Sequence, residues 1–259
     1  MNQRLVWVKG FMSSLVLEVR RQNGIIYPMA STISVQYLGH SCFLISTPKA
    51  KILIDPFLTG NPRAAAKAED IQCDYILVSH GHADHYGDAV PIGKRTGATL
   101  IAPYELALHA GAQGVKVHPM GCGGGRNFDF GRVQLTIAHH TSSVDSPDGP
   151  ITLGGPVGFL IQTEGKTIYF AGDTALTMEM QLLGSRHQID LALLPIGDNF
   201  TMGPEDAAEA VRMLRPKMAV PIHYNTFEMI EVNPDVFAKA AEKHGCKVEV
   251  MRPGATIQL

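Results

Sequence analysis

The stretch "LVSHGHADHYGD", residues 77–88, begins as the end of an apolar strand and runs into a cluster of metal-ligating side chains. His80, His82, Asp84 and His85 all fall inside it, and three of the chain's 11 histidines are therefore crowded together. Buried or half-buried imidazoles and carboxylates need partners, and one metal ion satisfies several at once. In an extended segment, residues two apart face the same way, so His80 and His82 can grip one ion together. Asp84 and His85 are adjacent and follow a change of chain direction, which turns them toward a second ion. The pattern H-x-H-x-D-H is thus suited to two neighbouring metals rather than one.

Working outward, the same arrangement recurs at other strand ends. "KILID" finishes in Asp55, "DYILVSH" in His80, "VQLTIAHH" in His139-His140, "KTIYFAGD" in Asp173 and "KMAVPIH" in His223. Strand C-termini are where α/β proteins place their chemistry, because a rigid sheet holds the loops there. Each position alone is weak: Asp-Pro commonly opens a turn, and a lone histidine after a strand is ordinary. The conjunction of five is what points to a site. These positions supply a third imidazole for the first ion, another for the second and a carboxylate between them. Two-metal hydrolytic sites hold their ions roughly 3.5–4 Å apart, a distance a carboxylate bridges. With imidazole and carboxylate donors and no thiolate, the set suits Zn²⁺, Mn²⁺ or Fe better than copper or iron–sulfur chemistry.

The pattern around these residues predicts an α/β fold. "ISVQYL", "CFLIS" and "KILID" are short β-branched runs separated by hairpin-sized breaks. "DAVPIGKRTG" reads as a short helix, "ATLIAP" as a strand and "YELALHAG" as a helix stopped by glycine. "NFDFGRVQLTIAHH" reads as a hairpin around Phe130-Gly131, and "VGFLIQTEGKTIYFAGD" as one around Glu164-Gly165. Farther on, "DLALLPI", "GPEDAAEAVRMLRP", "KMAVPIH", "PDVFAKAAEKHG" and "KVEVM" alternate strand and helix. One sheet of ten or more strands would be unusually large. Two sheets packed face to face with helices outside bury every apolar face.

The chain has 259 residues, 45% of them hydrophobic, with 22 basic and 24 acidic residues and a net charge of −2. That length buries a substantial core without staples. The charge balance argues against a nucleic-acid-wrapping surface or a basic membrane patch. No apolar run reaches the roughly 18 residues needed to span a membrane. The patch "FMSSLVL" near the N-terminus is closely bracketed by Lys9 and Glu18, which does not read as a secretory signal. Regular patterning begins at Ile33, so residues 1–28 are expected to be an appendage, and residues 29–259 a single domain. The four cysteines, Cys42, Cys73, Cys122 and Cys246, match no disulfide or C-x-x-C pattern, which fits free thiols in a reducing cytoplasm.

The set "HGHADH", "AHH", "AGDT" and "PIHYNTF" resembles the metallo-β-lactamase superfamily. With "YLGHSCFLI", "ILIDPFLTGNP" and "LLPIGDNFTMGPEDA", it is similar to the uncharacterised cytosolic metal-dependent hydrolases related to ascorbate-6-phosphate lactonase. The resemblance runs from about Ile33 to the C-terminus. It implies an αββα sandwich with the site at one edge of the two sheets. It implies one ion held by His80, His82 and His140 and another by Asp84, His85 and His223, with Asp173 bridging and Asp55 orienting the loop histidines. His140 rather than His139 is carried over from the motif "H-x-S-S". The implied activity is hydrolysis of a small lactone, ester or phosphodiester by a metal-bound hydroxide, with Asp84 or Asp173 relaying the proton. A metal-dependent nuclease and a non-catalytic metal-binding sensor are the alternatives. Exported β-lactamases and RNA-processing nucleases fit less well, because the chain shows no export signal and its connections leave no obvious room for an inserted RNA-binding arm.

Two further positions are candidate substrate contacts: His40, in the first hairpin, and Asn199, in "GDNFTMGPEDA" beside Asp198 and Thr201. His40 reads equally well as a turn residue with a satisfied ring, and for Asn199 the reading as part of a polar strand-to-helix loop is the stronger one. "MGCGGGRNF" lacks a phosphate-loop or dinucleotide fingerprint and reads as a turn. No G-x-S-x-G serine elbow occurs.

Overall fold

Two sheets of seven strands each, a two-stranded ribbon (Ser143–Val144 with Ile151–Thr152) and six α-helices follow Thr32 in the computed structural model, which describes residues 32–259 throughout. Before them it describes only the short strands Val6–Trp7, Val16–Leu17, Val19–Gln22 and Ile25–Pro28, paired as two antiparallel ribbons. The chain divides into two units, Met1–Thr32 and Ile33–Leu259. The start expected at Met29 lies outside the described residues.

The first sheet contains β1 (Ser34–Gly39), β2 (Cys42–Ser46), β3 (Lys51–Ile54), β4 (Tyr75–Leu77), β5 (Thr99–Pro103) and β6 (Val117–Met120). The second contains β7 (Gly125–Phe128), β8 (Gly131–Ile137), β9 (Val157–Thr163), β10 (Lys166–Phe170), β11 (Leu191–Pro195), β12 (Met218–Ile222) and β13 (Lys247–Val248). The final strand, β14 (Thr256–Gln258), returns to the first sheet beside β1. Each sheet thus has seven strands, in spatial order β6-β5-β4-β3-β2-β1-β14 and β7-β8-β9-β10-β11-β12-β13. In both, an antiparallel hairpin region leads into parallel strands: β3 to β6 in the first, β10 to β13 in the second.

Helices cover both outer faces, as the apolar patterning predicts. On β3, Ile52 and Ile54 point into the core between the sheets, while Leu53 points to the opposite, helix-covered face. Side chains alternate between the faces of a strand, and strands covered on both faces read as continuous apolar runs. The intersheet core gathers Phe43, Phe159 and Phe170, all fully buried, each contributing about 1.5–3 kcal/mol. α2 (Ala89–Thr96) and α3 (Tyr104–Ala112) cover the first sheet. α4 (Glu179–Arg186), α5 (Pro204–Leu214) and α6 (Pro234–Glu242) cover the second. α5 begins with Pro204, Glu205 and Asp206, a proline start with acidic residues at the positive helix end.

Some local expectations shift. α3 runs through Gly111 and turns at Gly114, with φ of +91°. Gly111 packs against Val117 instead of ending the helix; a Cβ there would lie 3.2 Å from that side chain. The first predicted turn falls at Asp129-Phe130, because Phe128 pairs with Gly131. The second lies at Glu164-Gly165, whose φ values of +47° and +75° suit a two-residue hairpin. "KVEVM" is strand only at Lys247–Val248.

This topology brings the polar strand ends to one edge within each sheet. β3 and β4 are parallel, so Asp55 and His80 leave on the same side. β2 is antiparallel to β3, which puts the β1–β2 turn carrying His40 there too. In the second sheet, β8 is antiparallel to β9 and β9 to β10, so His140 and Asp173 emerge together. The parallel strands β10, β11 and β12 place His223 on that edge as well.

Candidate metal centre

Four imidazole Nε2 atoms converge on one carboxylate oxygen, Asp173 Oδ2. The distances are 3.0 Å from His223, 3.3 Å from His85, 3.7 Å from His140 and 4.0 Å from His80. Around this centre the ligand atoms form three overlapping groups, each with its members within 4.8 Å of one another: His80, His82 and His140; His40, Asp84, His85 and His223; and, at the back, Asp55, His80 and His85. The His80 and His85 side chains are 0% exposed, whereas Asp84 at 27% and His140 at 14% are partly reached by solvent. α1 (Ala83–Tyr86) is the change of direction after His82 that separates Asp84 and His85 from the first pair. Its short turn gives each half of H-x-H-x-D-H its own heading.

Asp55 supports the cluster from behind. It is fully buried at φ of +41° and accepts hydrogen bonds from Ser79 N (2.8 Å), Ser79 Oγ (2.5 Å) and His85 Nδ1 (2.7 Å). Ser79 Oγ also lies 2.9 Å from His80 Nδ1. A carboxylate can only accept, so Ser79 donates to Asp55, and His80 Nδ1–H donates to Ser79. Both His80 and His85, when neutral, then keep the Nε2 lone pair directed at the cluster. Such partners fix the tautomer and ring direction of a metal-ligating histidine.

The electrostatics follow from burial and close packing of opposite charges. Burial alone would lower His223, but Asp173 and Asp84 beside it together outweigh this and hold it up at about 9. Burial likewise opposes the charge on His85, yet Asp173 and Asp84 raise it well above the usual imidazole range. Burial would raise Asp173, but His223 and His85 pull it well below the usual carboxylate range. Asp84 is lowered as well, since His85, His223 and His40 outweigh its burial. Burial pushes Asp55 up, against its bonds from His85 and Ser79. Burial and the neighbouring His85 hold His80 well below its normal value, and burial lowers His82 and His140.

These residues fit divalent ions. His85 Nε2 and Asp173 Oδ1 are buried without a hydrogen-bond partner among the described residues, although buried polar groups are nearly always partnered. Both atoms belong to the imidazole and carboxylate set, donors that suit zinc, manganese or iron.

The remaining candidates separate. His140, half-buried, enters the cluster, while exposed His139 is held by its backbone to Thr174 and Ala175. His40 is fully buried, its ring between Thr226 Oγ1 and Asp84. Asn199 lies exposed beside Asp198 in the turn after β11, and no described contact joins either side chain to the cluster. The sequence pattern singles out neither Ser79 nor Thr226. Ser79 stands directly before His80, but a serine at a strand end carries no signal of its own. Thr226 lies 186 positions from its partner His40. The cysteines form no disulfide, and Cys122 alone of the four is exposed.

A family model described as a beta-lactamase superfamily domain matches residues 34–223. The chain belongs to the beta-lactamase superfamily. Within this superfamily it groups with metal-dependent hydrolases. It is 50% identical over 229 residues to one from Pelotomaculum thermopropionicum and 52% identical to one from Bacillus cytotoxicus, each match covering 88% of this chain and 100% of the relative. A solved metallo hydrolase from the archaeon Ignicoccus hospitalis is 37% identical with a TM-score of 0.80, over 88% of this chain and 99% of that one. The superfamily fold extends to an isothiocyanate hydrolase from Delia radicum gut bacteria, 19% identical with a TM-score of 0.68, over 86% of this chain and 98% of that one. No helix among the described residues is long and apolar enough to cross a membrane.

Proposed function

We propose that this protein is a dinuclear metal-dependent hydrolase acting on a small lactone, ester or phosphodiester. The observation that carries the reading is the convergence of two groups of ligand atoms around Asp173. His80, His82 and His140 would hold one ion, Asp84, His85 and His223 the other, and Asp173 would bridge. Bound there, divalent ions such as zinc, manganese or iron supply Lewis acidity and bring the pKa of a water near neutrality. Asp84, the more exposed carboxylate, or the buried Asp173 would relay the proton. Asp55 and Ser79 hold the histidine rings in the direction that binding requires. The site is assembled from both sheets, which favours catalysis over simple metal storage, because several strand ends hold its geometry against rearrangement. A cytoplasmic setting suits the free cysteines, and the near-balanced charge suits a small substrate better than nucleic acid.

The test is metal content per chain by elemental mass spectrometry, on protein purified without chelator and again after loading with Zn²⁺ or Mn²⁺. Close to two ions are expected, with fewer in His80→Ala. Near zero after loading would overturn the reading. The loaded protein is then screened against lactones, esters, phosphodiesters and oligonucleotides. Turnover of oligonucleotides alone would favour a nuclease, and two bound ions with no turnover of any class would favour a sensor.

A further inference from the structure

We propose that His40 is a positioning residue that aims Asp84 at the metal centre, and that Thr226 sets the His40 ring for that task. The inference rests on the dinuclear reading above. Three observations support it.

The first is the backbone. His40 sits at φ of +58°, a left-handed conformation that costs a non-glycine residue energy and persists only where surroundings enforce it. Its carbonyl accepts from the His223 N–H at 3.0 Å and from the Tyr37 hydroxyl at 3.2 Å. The β1–β2 turn of the first sheet is therefore tied to the end of β12 in the second, next to a residue of the metal cluster.

The second is the ring. His40 is 0% exposed, with Nδ1 2.9 Å from Thr226 Oγ1 and Nε2 3.2 Å from Asp84 Oδ2. Phe57 and Phe227 pack edge-on against it, with ring centroids at 5.7 and 5.6 Å. Ionised Asp84 can only accept, so the His40 Nε2 carries the proton of that bond. The Nδ1 of a neutral ring then accepts from the Thr226 hydroxyl. Thr226 thus selects the tautomer that can donate to Asp84.

The third is the position relative to Asp173. His85 and His223 both reach Asp173 Oδ2, at 3.3 and 3.0 Å. His40 forms its close carboxylate contact with Asp84 and makes none with Asp173 within 4.0 Å. Its Nε2 meets Asp84 at Oδ2, the oxygen that also faces His223 at 3.6 Å and His85 at 3.8 Å. Asp84 is the carboxylate of the cluster with the most exposure and hence the most freedom to swing. A donor fixed on that oxygen restricts the freedom and holds the carboxylate toward His85 and His223.

The test is cobalt titration of the full chain against a competing chelator, followed by visible absorption. It is run on wild type, His40→Ala, His40→Gln and Thr226→Val, each checked for folding by circular dichroism. Losing such a supporting hydrogen bond typically costs about 10–100-fold in metal affinity. In His40→Ala one of the two cobalt ions should weaken by that amount while the other keeps its affinity. His40→Gln, whose amide can still donate to Asp84, should recover most of the loss. Thr226→Val, which keeps the imidazole but frees its tautomer, should weaken the same ion by less. If His40→Ala takes up both ions like wild type, the inference is wrong. If it loses one ion outright, with an altered ligand-field spectrum that His40→Gln does not restore, His40 is itself a ligand and the positioning role is refuted. A wild type that takes up no cobalt would refute the dinuclear reading and this inference with it. Should His40→Ala fail to fold, His40→Gln and Thr226→Val carry the test: wild-type-like binding by Thr226→Val, or no binding of the second ion by His40→Gln, overturns it.

Discussion

Replacing Asp55 with asparagine changes one oxygen to an NH₂ group and leaves shape and backbone almost untouched, since asparagine tolerates the left-handed φ of +41° well. The carboxylate accepts three hydrogen bonds: Ser79 N at Oδ1, and Ser79 Oγ and His85 Nδ1 at Oδ2. An amide has two orientations. With its NH₂ toward Ser79 Oγ and His85, every bond can be remade, but the donors reverse. His85 Nδ1 becomes an acceptor, and Ser79 turns its proton to His80 Nδ1. Both imidazoles then carry hydrogen on Nε2, the atom that faces Asp173. With its NH₂ toward the Ser79 N–H, the tautomers are right, but two donors confront each other in a buried site, at about 1–3 kcal/mol. Metal binding forces the second orientation, so affinity should fall by that amount, roughly 5–150-fold. Because Asp55 acts on His85 directly and on His80 through Ser79, both ions should weaken. Ser79→Ala should weaken only the ion held by His80. Chelator-competition titrations with cobalt measure both variants. Wild-type affinity for both ions in Asp55→Asn would refute the tautomer reasoning.

Metal uptake should release protons and strengthen with pH. Asp173 and Asp84 together outweigh burial, holding His223 at about 9 and raising His85 well above the usual imidazole range, so both are protonated near neutrality in the metal-free protein. Metal needs them neutral, so competition from protons falls as pH rises. Apparent affinity should climb from pH 6 toward 9, and calorimetry in buffers of different ionisation enthalpy should register the protons; pH-independent binding would contradict this. Gly197→Ala puts a Cβ 2.2 Å from the His223 carbonyl and 3.0 Å from Ile230 Cβ. Overpacking of this kind costs about 1–3 kcal/mol, a fall in melting temperature of roughly 2–12 °C for a chain of this size. Gly121→Ala, with open space around the new carbon, should melt like wild type. A chain begun at Met29 should melt within about 2 °C of the full chain, since the unit holding the cluster begins at Ile33; a larger drop would show that the preceding residues support it.

Periodicity alone carried much of the architecture. Apolar runs such as "KILI" and "LALLP" show strands covered on both faces, and the Glu164-Gly165 turn announces its hairpin, because these signals are local in the chain. The cluster residues were legible for the same reason: each follows an apolar strand by a few positions, and His80, His82, Asp84 and His85 share one loop. α3 ends at Ala112, one residue past Gly111; a glycine that packs closely against a neighbouring strand reads in one dimension like a helix stop. Only the folded chain decides which atoms meet. His140 rather than His139 reaches Asp173, because β8 delivers the second of the pair to the intersheet edge. Ser79 becomes the link between Asp55 and His80, and Thr226 the partner of His40 across 186 positions. Sequence pattern reports the period of burial along a strand. The pairing of side chains between two sheets depends on register and packing, and these exist only once both sheets are in place.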